Sequence, residues 1–323
     1  MNVLACMLLM ICPLWRYTES KQTGGNALVK FIYNEDAGYL EVPLHQLAKG
    51  VQYMDQQDIH HLKIIPIPKD TNHSGTKLDL APLANKPYIY FLTIDEEIPL
   101  KKISLEPIYS LPHLRHLSLT YVKDRLDFSR LQGLHTLYIT RADGEIELID
   151  IPNLQHLLLA GTKNKDCRCL SSLSSLISLR ISSSSIETLT GIDSLQMLES
   201  LQITHSPRLA DLEGLNECTY LAELYIEKCK RITDYTVLKG NTSIRQLFLS
   251  DIQTLSFVPH MINLKTIRFW DVQDGDLSFL LQSLTLEQVD FFPQKKKYTY
   301  TKEAINIALT NRDIPDELAK RRN

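Results

Sequence analysis

The chain has 323 residues, a formal net charge of -3 and a pI near 6.4, and 44% of its residues are apolar. That composition excludes a disordered chain, a collagen-like chain and a small disulfide-stapled domain, and the charge excludes a strongly basic nucleic-acid binder. Leucine alone fills 53 positions, and the informative feature is how they are spaced.

The first apolar run extends from Val3 to Trp15 and is interrupted only by Pro13. It falls short of the roughly 18 residues that a membrane-spanning helix needs. Residues 1–20 are an apolar leader with two open readings, a secretory signal or an element packed on an N-terminal cap. No Lys or Arg precedes the run, Arg16 follows it, and no small-x-small cleavage site is evident. Residues 21–88 read as an N-terminal cap merging into the first repeats. Within them, 28–43 place two apolar stretches around a polar turn at Asn34 to Gly38, which predicts a hairpin. Residues 65–88, with Pro66, Pro68 and Gly75, read as loop-rich.

A repeat then takes over, covering residues 89–292. The pattern apolar-x-x-apolar-x-apolar recurs ten times, starting at Ile89, Leu114, Leu134, Leu154, Leu176, Leu198, Leu221, Ile244, Leu264 and Leu286. A weaker match, Ile59-Leu62-Ile64, lies upstream. The mean period is about 22 residues, inside the range of leucine-rich repeats. Between the predicted strands, Ile186, Leu189, Ile192, Leu195 and Leu198 recur every third residue, and so do Leu209, Leu212, Leu215, Cys218 and Leu221. That spacing suits a 3₁₀ turn better than an α-helix.

Leu189 to Ile203, L-T-G-I-D-S-L-Q-M-L-E-S-L-Q-I, resembles a bacterial leucine-rich repeat of the internalin-like kind, and Tyr225 to Asp234 resembles its cysteine-containing variant. The resemblance implies an α/β leucine-rich repeat solenoid. It would have a curved parallel sheet on the concave face, 3₁₀ or loop segments on the convex face, and a cap at each end. One departure stands out. The family usually places Asn or Cys three residues after the last strand anchor, where this chain has Glu97, Val122, Ala142, Thr162, Ser184, Ser206, Cys229, Ile252 and Val272. With no Asn ladder, the turns must satisfy their buried backbone in another way.

Residues 293–323 read as a C-terminal helical cap. Lys295, Lys296 and Lys297 suit an exposed sheet edge. Thr301 can cap a helix with Ile305, Ala308 and Leu309 as its apolar face, and Pro315 suits the first turn of a second helix ending in Lys320, Arg321 and Arg322. These cations are a solvated cap or, alternatively, a basic patch for nucleic acid or a membrane surface.

Catalytic motifs are missing from the sequence. It has no GxxxxGK[ST], HExxH, GxSxG, GxGxxG or CxxC pair. His60-His61 and Cys167-x-Cys169 are weak metal candidates, because neighbours on a strand point to opposite faces and the thiol pair has no second pair. The expectation is no enzyme, no cofactor and no metal. Asn72-His73-Ser74 and Asn241-Thr242-Ser243 match the glycosylation acceptor. Cys218 and Cys229 fall at repeat positions and read as buried free thiols, which points to a reduced, cytoplasmic setting. A secreted or envelope location requires residues 1–20 to act as a signal.

Alternation sends the residues between anchors onto the concave sheet face. The C-terminal repeats concentrate Tyr225, Phe248, Arg268 and Trp270 there, with Phe292 beside them and Glu223, Glu227, Asp251 and Asp271 as an acidic rim. Exposed aromatics and Arg are the types enriched at binding hot spots. The four residues Tyr225, Phe248, Arg268 and Trp270 and the four rim acids are the candidate protein-binding site, and the rim would face a basic partner. The alternative places Trp270 and Phe292 beneath the C-terminal cap. The function expected is a monomeric, non-enzymatic module binding a protein partner, with no nucleic acid and no small-molecule substrate. Two narrower versions are an immunity-type inhibitor that occludes a toxin or enzyme and an internalin-like surface adhesin.

Overall fold

The computed structural model describes residues 31–67, 77–121, 126–142, 144–149 and 151–312. The apolar leader, Asn72 and the second C-terminal helix lie outside these residues. The chain divides into two compact units, residues 1–120 and 121–323.

The first unit opens with the expected hairpin. Strand β1 (Ile32–Asn34) pairs antiparallel with β2 (Tyr39–Pro43), and the Asn34 side chain accepts from Ala37 N–H to close the turn. Helix α1 (Leu47–Gln57) buries Leu47, Val51 and Met54, spaced to share one face. Strands β3 (His61–Ile65), β4 (Phe91–Ile94) and β5 (His116–Tyr121) follow in parallel register, with a short helix α2 (Glu106–Tyr109) before β5.

The second unit is more regular. Strands β6 (Thr136–Ala142), β7 (His156–Ala160), β8 (Ser178–Ser182), β9 (Ser200–Thr204), β10 (Glu223–Glu227), β11 (Gln246–Ile252), β12 (Thr266–Val272) and β13 (Gln288–Phe291) lie side by side in chain order, all parallel. Equivalent anchors align, as in Leu201↔Leu224↔Leu247↔Ile267. Every anchor of the ten repeats is at most 4% exposed. The every-third-residue segments form 3₁₀ turns at Ile192–Ser194 and Leu215–Glu217, and their periodic residues are buried. Helix α3 (Ser278–Gln282) takes the place of that turn before β13. Helix α4 (Lys302–Thr310) starts where Thr301 accepts from Ala304 N–H. It buries Ile305 and Leu309, whereas Ala308 is exposed and lies off the face assigned to it from sequence.

The missing Asn ladder has a physical substitute. Immediately after β7, β8, β9 and β10, Gly161, Ser183, His205 and Lys228 take left-handed φ values of 76°, 51°, 51° and 54°. In that conformation the N–H of Gly161, Ser183 and His205 reaches the carbonyl of Ser182, Thr204 and Glu227 in the following repeat, each at 2.9 Å. The Lys228 N–H reaches Ser250 Oγ at 2.8 Å. Thr162, Ser184, Ser206 and Cys229 then point inward. Ser184 and Ser206 share a hydroxyl hydrogen bond at 2.8 Å, and Ser206 and Cys229 donate to carbonyls two residues back. A ladder of small hydroxyl and thiol groups thus does the work of amides.

Candidate functional site

The strand register assembles the aromatic cluster. Tyr225, Phe248, Arg268 and Asp290 are direct cross-strand neighbours on β10 to β13. Alternation puts all four on the face opposite the buried anchors. Tyr225 stacks on Phe248 with centroids 4.2 Å apart and planes at 12°, and Trp270 meets Phe248 edge-on at 5.6 Å. The Arg268 guanidinium lies 6.0 Å from the Phe248 ring centre, and Lys228 Nζ lies 5.8 Å from that of Trp270, both within cation–π reach.

Of the aromatic anchors named from sequence, Phe248 is covered. It is 8% exposed, because Tyr225, Trp270 and Arg268 close around it. It therefore supports the patch rather than offering itself to a partner. Trp270 is 39% exposed and Phe292 79% exposed, so neither lies beneath described C-terminal residues. The Tyr225 hydroxyl donates to Glu227 Oε2 at 2.7 Å. Burial pushes its pKa up, and the Glu227 carboxylate adds to that.

Two of the four rim acids read from sequence, Glu227 and Asp271, are neutralised within the fold. Glu227 is buried, takes the Tyr225 hydroxyl and lies 3.5 Å from Lys228. Asp271 is held by Lys295 at 2.8 Å and Lys297 at 3.1 Å, and these bonds hold its carboxyl below the usual range despite partial burial. Asp251 accepts from Ser250 Oγ at 2.7 Å. Glu223 is exposed, and among the described residues its carboxylate meets Ser200 Oγ at 3.4 Å. Lysines cannot be counted against carboxylates from sequence when they arrive 24 residues later, as Lys295 does at Asp271.

Tyr298 is a residue that sequence reading missed. It is 8% exposed, stands edge-on to Phe291 (5.3 Å, 88°) and Phe269 (6.4 Å, 78°), and donates to Asp271 at 3.2 Å. Asn306 on α4 works beside it. Its amide accepts from Val289 N–H at 2.9 Å and donates to Val289 O at 2.8 Å, completing the hydrogen bonding of β13. The Y-T-Y run around Tyr298 was the only available signal. Asn241, one of the two acceptor motifs, is buried and bonded to Asn216, Ser243 and Ile244, so its amide is not presented to solvent.

The first unit carries its own ring cluster. His61, Phe91 and His116 are cross-strand neighbours on β3 to β5, and Tyr39 meets His61 at 5.3 Å. The His61 and His116 rings lie 6.0 Å apart. Burial pushes both histidines down to about 4, with His116 and Lys63 adding to the effect at His61. His60 turns the other way, to Tyr88 O. The folded pKa values lie below the unfolded value near 6.5, so the unfolded chain binds more protons between pH 6.5 and about 4. Stability is therefore full above pH 6.5 and falls as pH drops through that window. After discounting partial solvent contact, we expect about 2 kcal/mol lost between pH 7.5 and 5, and a flatter profile for His116→Gln. Urea titrations at the two pH values measure it, and equal profiles would contradict the assignment.

Among the described residues, no three His, Cys, Asp or Glu side chains converge to hold a metal ion. Cys167, Cys169, Cys218 and Cys229 are free thiols, and burial holds the last three up at about 11. These are inert thiols rather than nucleophiles.

No protein-family model matches the chain, and no curated protein matches it by sequence. Solved structures do match. An internalin, inlF, from Listeria monocytogenes superposes with a TM-score of 0.56 at 20% identity, covering 79% of this chain and 73% of that one. The chain is a leucine-rich repeat protein by fold. TLR13, solved in complex with ssRNA13, is also similar, with a TM-score of 0.51 at 18% identity over 76% of this chain and 38% of that chain. At these identities the likeness concerns the leucine-rich repeat scaffold, and the residues on its sheet face are this chain's own.

Proposed function

We propose that this leucine-rich repeat protein is a non-enzymatic module that binds a protein partner through the sheet face of β10 to β12, on Tyr225, Arg268 and Trp270. The supporting observation is the exposure of the Trp270 indole beside Arg268, over an aromatic stack already assembled by strand register. A prearranged aromatic surface costs little ordering entropy on association. Glu223 and Asp251 border it. An inhibitor that occludes another protein's surface uses the same contact, and so does an adhesin; the leader at residues 1–20 decides between them by deciding the compartment. The buried thiols favour a reducing, cytoplasmic one.

Trp270→Ala is expected to weaken binding of the purified partner by about 30-fold, or about 2 kcal/mol, while the urea midpoint stays nearly unchanged. Calorimetric titration with wild type and variant measures the first, and a denaturation curve the second. Unchanged affinity in a folded variant would return Trp270 to a bystander role.

A further inference from the structure

Resting on that reading, we infer that the partner is recognised by an acidic segment: a carboxylate-bearing side chain, next to an apolar one, seats against Arg268 and the Trp270 ring. The charge accounting of this face carries the inference. Of the acids around the cluster, three are occupied internally, Glu227 by Tyr225 and Lys228, Asp271 by Lys295 and Lys297, and Asp290 by Lys302 at 2.9 Å, while Glu223 and Asp251 stay exposed at its border. Arg268, at the centre, is exposed and forms no ion pair among the described residues. Its cross-strand neighbour Asp290 is the carboxylate that Lys302 holds.

A guanidinium beside an aromatic ring keeps its hydrogen-bonding edge open and matches a carboxylate two bonds at a time. The adjoining loop edge adds to the attraction. Lys230 and Arg231 follow β10 closely, Arg208 follows β9, and all three are exposed. Glu187 on that edge is bonded by Lys165 at 2.6 Å, and its carboxyl is held below the usual range by Lys165 first and by Arg208 and Arg231 as well. A chain of phosphates fits less well, because several neutralised phosphates are needed for useful affinity and the centre of the cluster offers a single guanidinium. The occupant is therefore a polypeptide, acidic rather than basic, the reverse of what the rim suggested from sequence.

The chain has two tryptophans, Trp15 and Trp270, so the full-length Trp15→Phe variant reports on Trp270 alone. Random twelve-residue displayed peptides are panned on this variant, and the enriched ones are synthesised and titrated by Trp270 emission. We expect enrichment of Asp or Glu beside aromatic or aliphatic residues. We also expect at least a tenfold loss of affinity with Arg268→Glu, and the same loss when the peptide carboxylates become amides. Neutral or basic peptides that still shift Trp270 emission would overturn the inference and leave the site standing. Peptides that bind without moving Trp270, and equally well to a Tyr225/Arg268/Trp270 triple alanine variant, would overturn the site as well. No enriched peptide, or a thymidylate dodecamer shifting Trp270 where peptides do not, also overturns it.

Discussion

Gly191→Ala is expected to cost about 3 kcal/mol or more, while Gly240→Ala costs about 1. Both residues have left-handed φ, +94° and +77°, so an added Cβ brings a similar conformational penalty. Their surroundings differ. A Cβ at Gly191 would stand 2.7 Å from Arg168 N and 2.8 Å from Arg168 Cα, whereas one at Gly240 meets nothing within 4 Å. The contact at Gly191 is backbone of the preceding repeat, which cannot rotate away. Cys167 N–H bonds to Thr190 O at 2.9 Å in the same place, so relieving the clash also breaks a bond between repeats. Urea midpoints of the two variants measure the difference. Equal losses would mean that the repeats slide more freely than their packing indicates.

Tyr298→Ala is expected to cost about 3–5 kcal/mol, and Tyr298→Phe about 1. The alanine variant uncovers Phe269 and Phe291 together and orphans the Val272 N–H that the phenol oxygen receives at 3.3 Å. The phenylalanine variant keeps the ring contacts and loses only the hydroxyl. Each repeat packs on its neighbours, so the damage should be local before it is global. Amide exchange at Val272 and Val289 should accelerate in Tyr298→Ala while β8 and β9 stay protected. Uniform acceleration across all strands would show that the second unit unfolds as one body.

The core was legible because one rule writes it. Anchors such as Leu198, Leu201 and Ile203 recur at a fixed spacing, and each must be buried for the next repeat to stack. The 3₁₀ turns followed from the same arithmetic at period three. The faces were harder. Whether Phe248 is exposed depends on residues one repeat to either side, and Glu227 is buried where the Tyr225 hydroxyl and Lys228 meet it. Ser183, His205 and Lys228 give no local sign of their left-handed turns, which a Gly or Asn would have announced. The pairing of Asp271 with Lys295 and Lys297 lies outside the period altogether, as does the aromatic cover of Tyr298. Residue type and strand register thus predicted that the aromatic residues and Arg268 share one sheet face, while the internal pairing of Glu227 and Asp271 could not be read from rim composition.

The most direct test of the sheet-face account is comparative capture. Wild type and the Tyr225/Arg268/Trp270 triple alanine variant, matched first for urea midpoint, are immobilised and exposed to lysate and culture supernatant of the source organism. A protein retained by wild type is then purified and titrated against both. The account predicts at least a hundredfold weaker binding to the triple variant. Equal affinity for the two would contradict it and place recognition elsewhere on the chain.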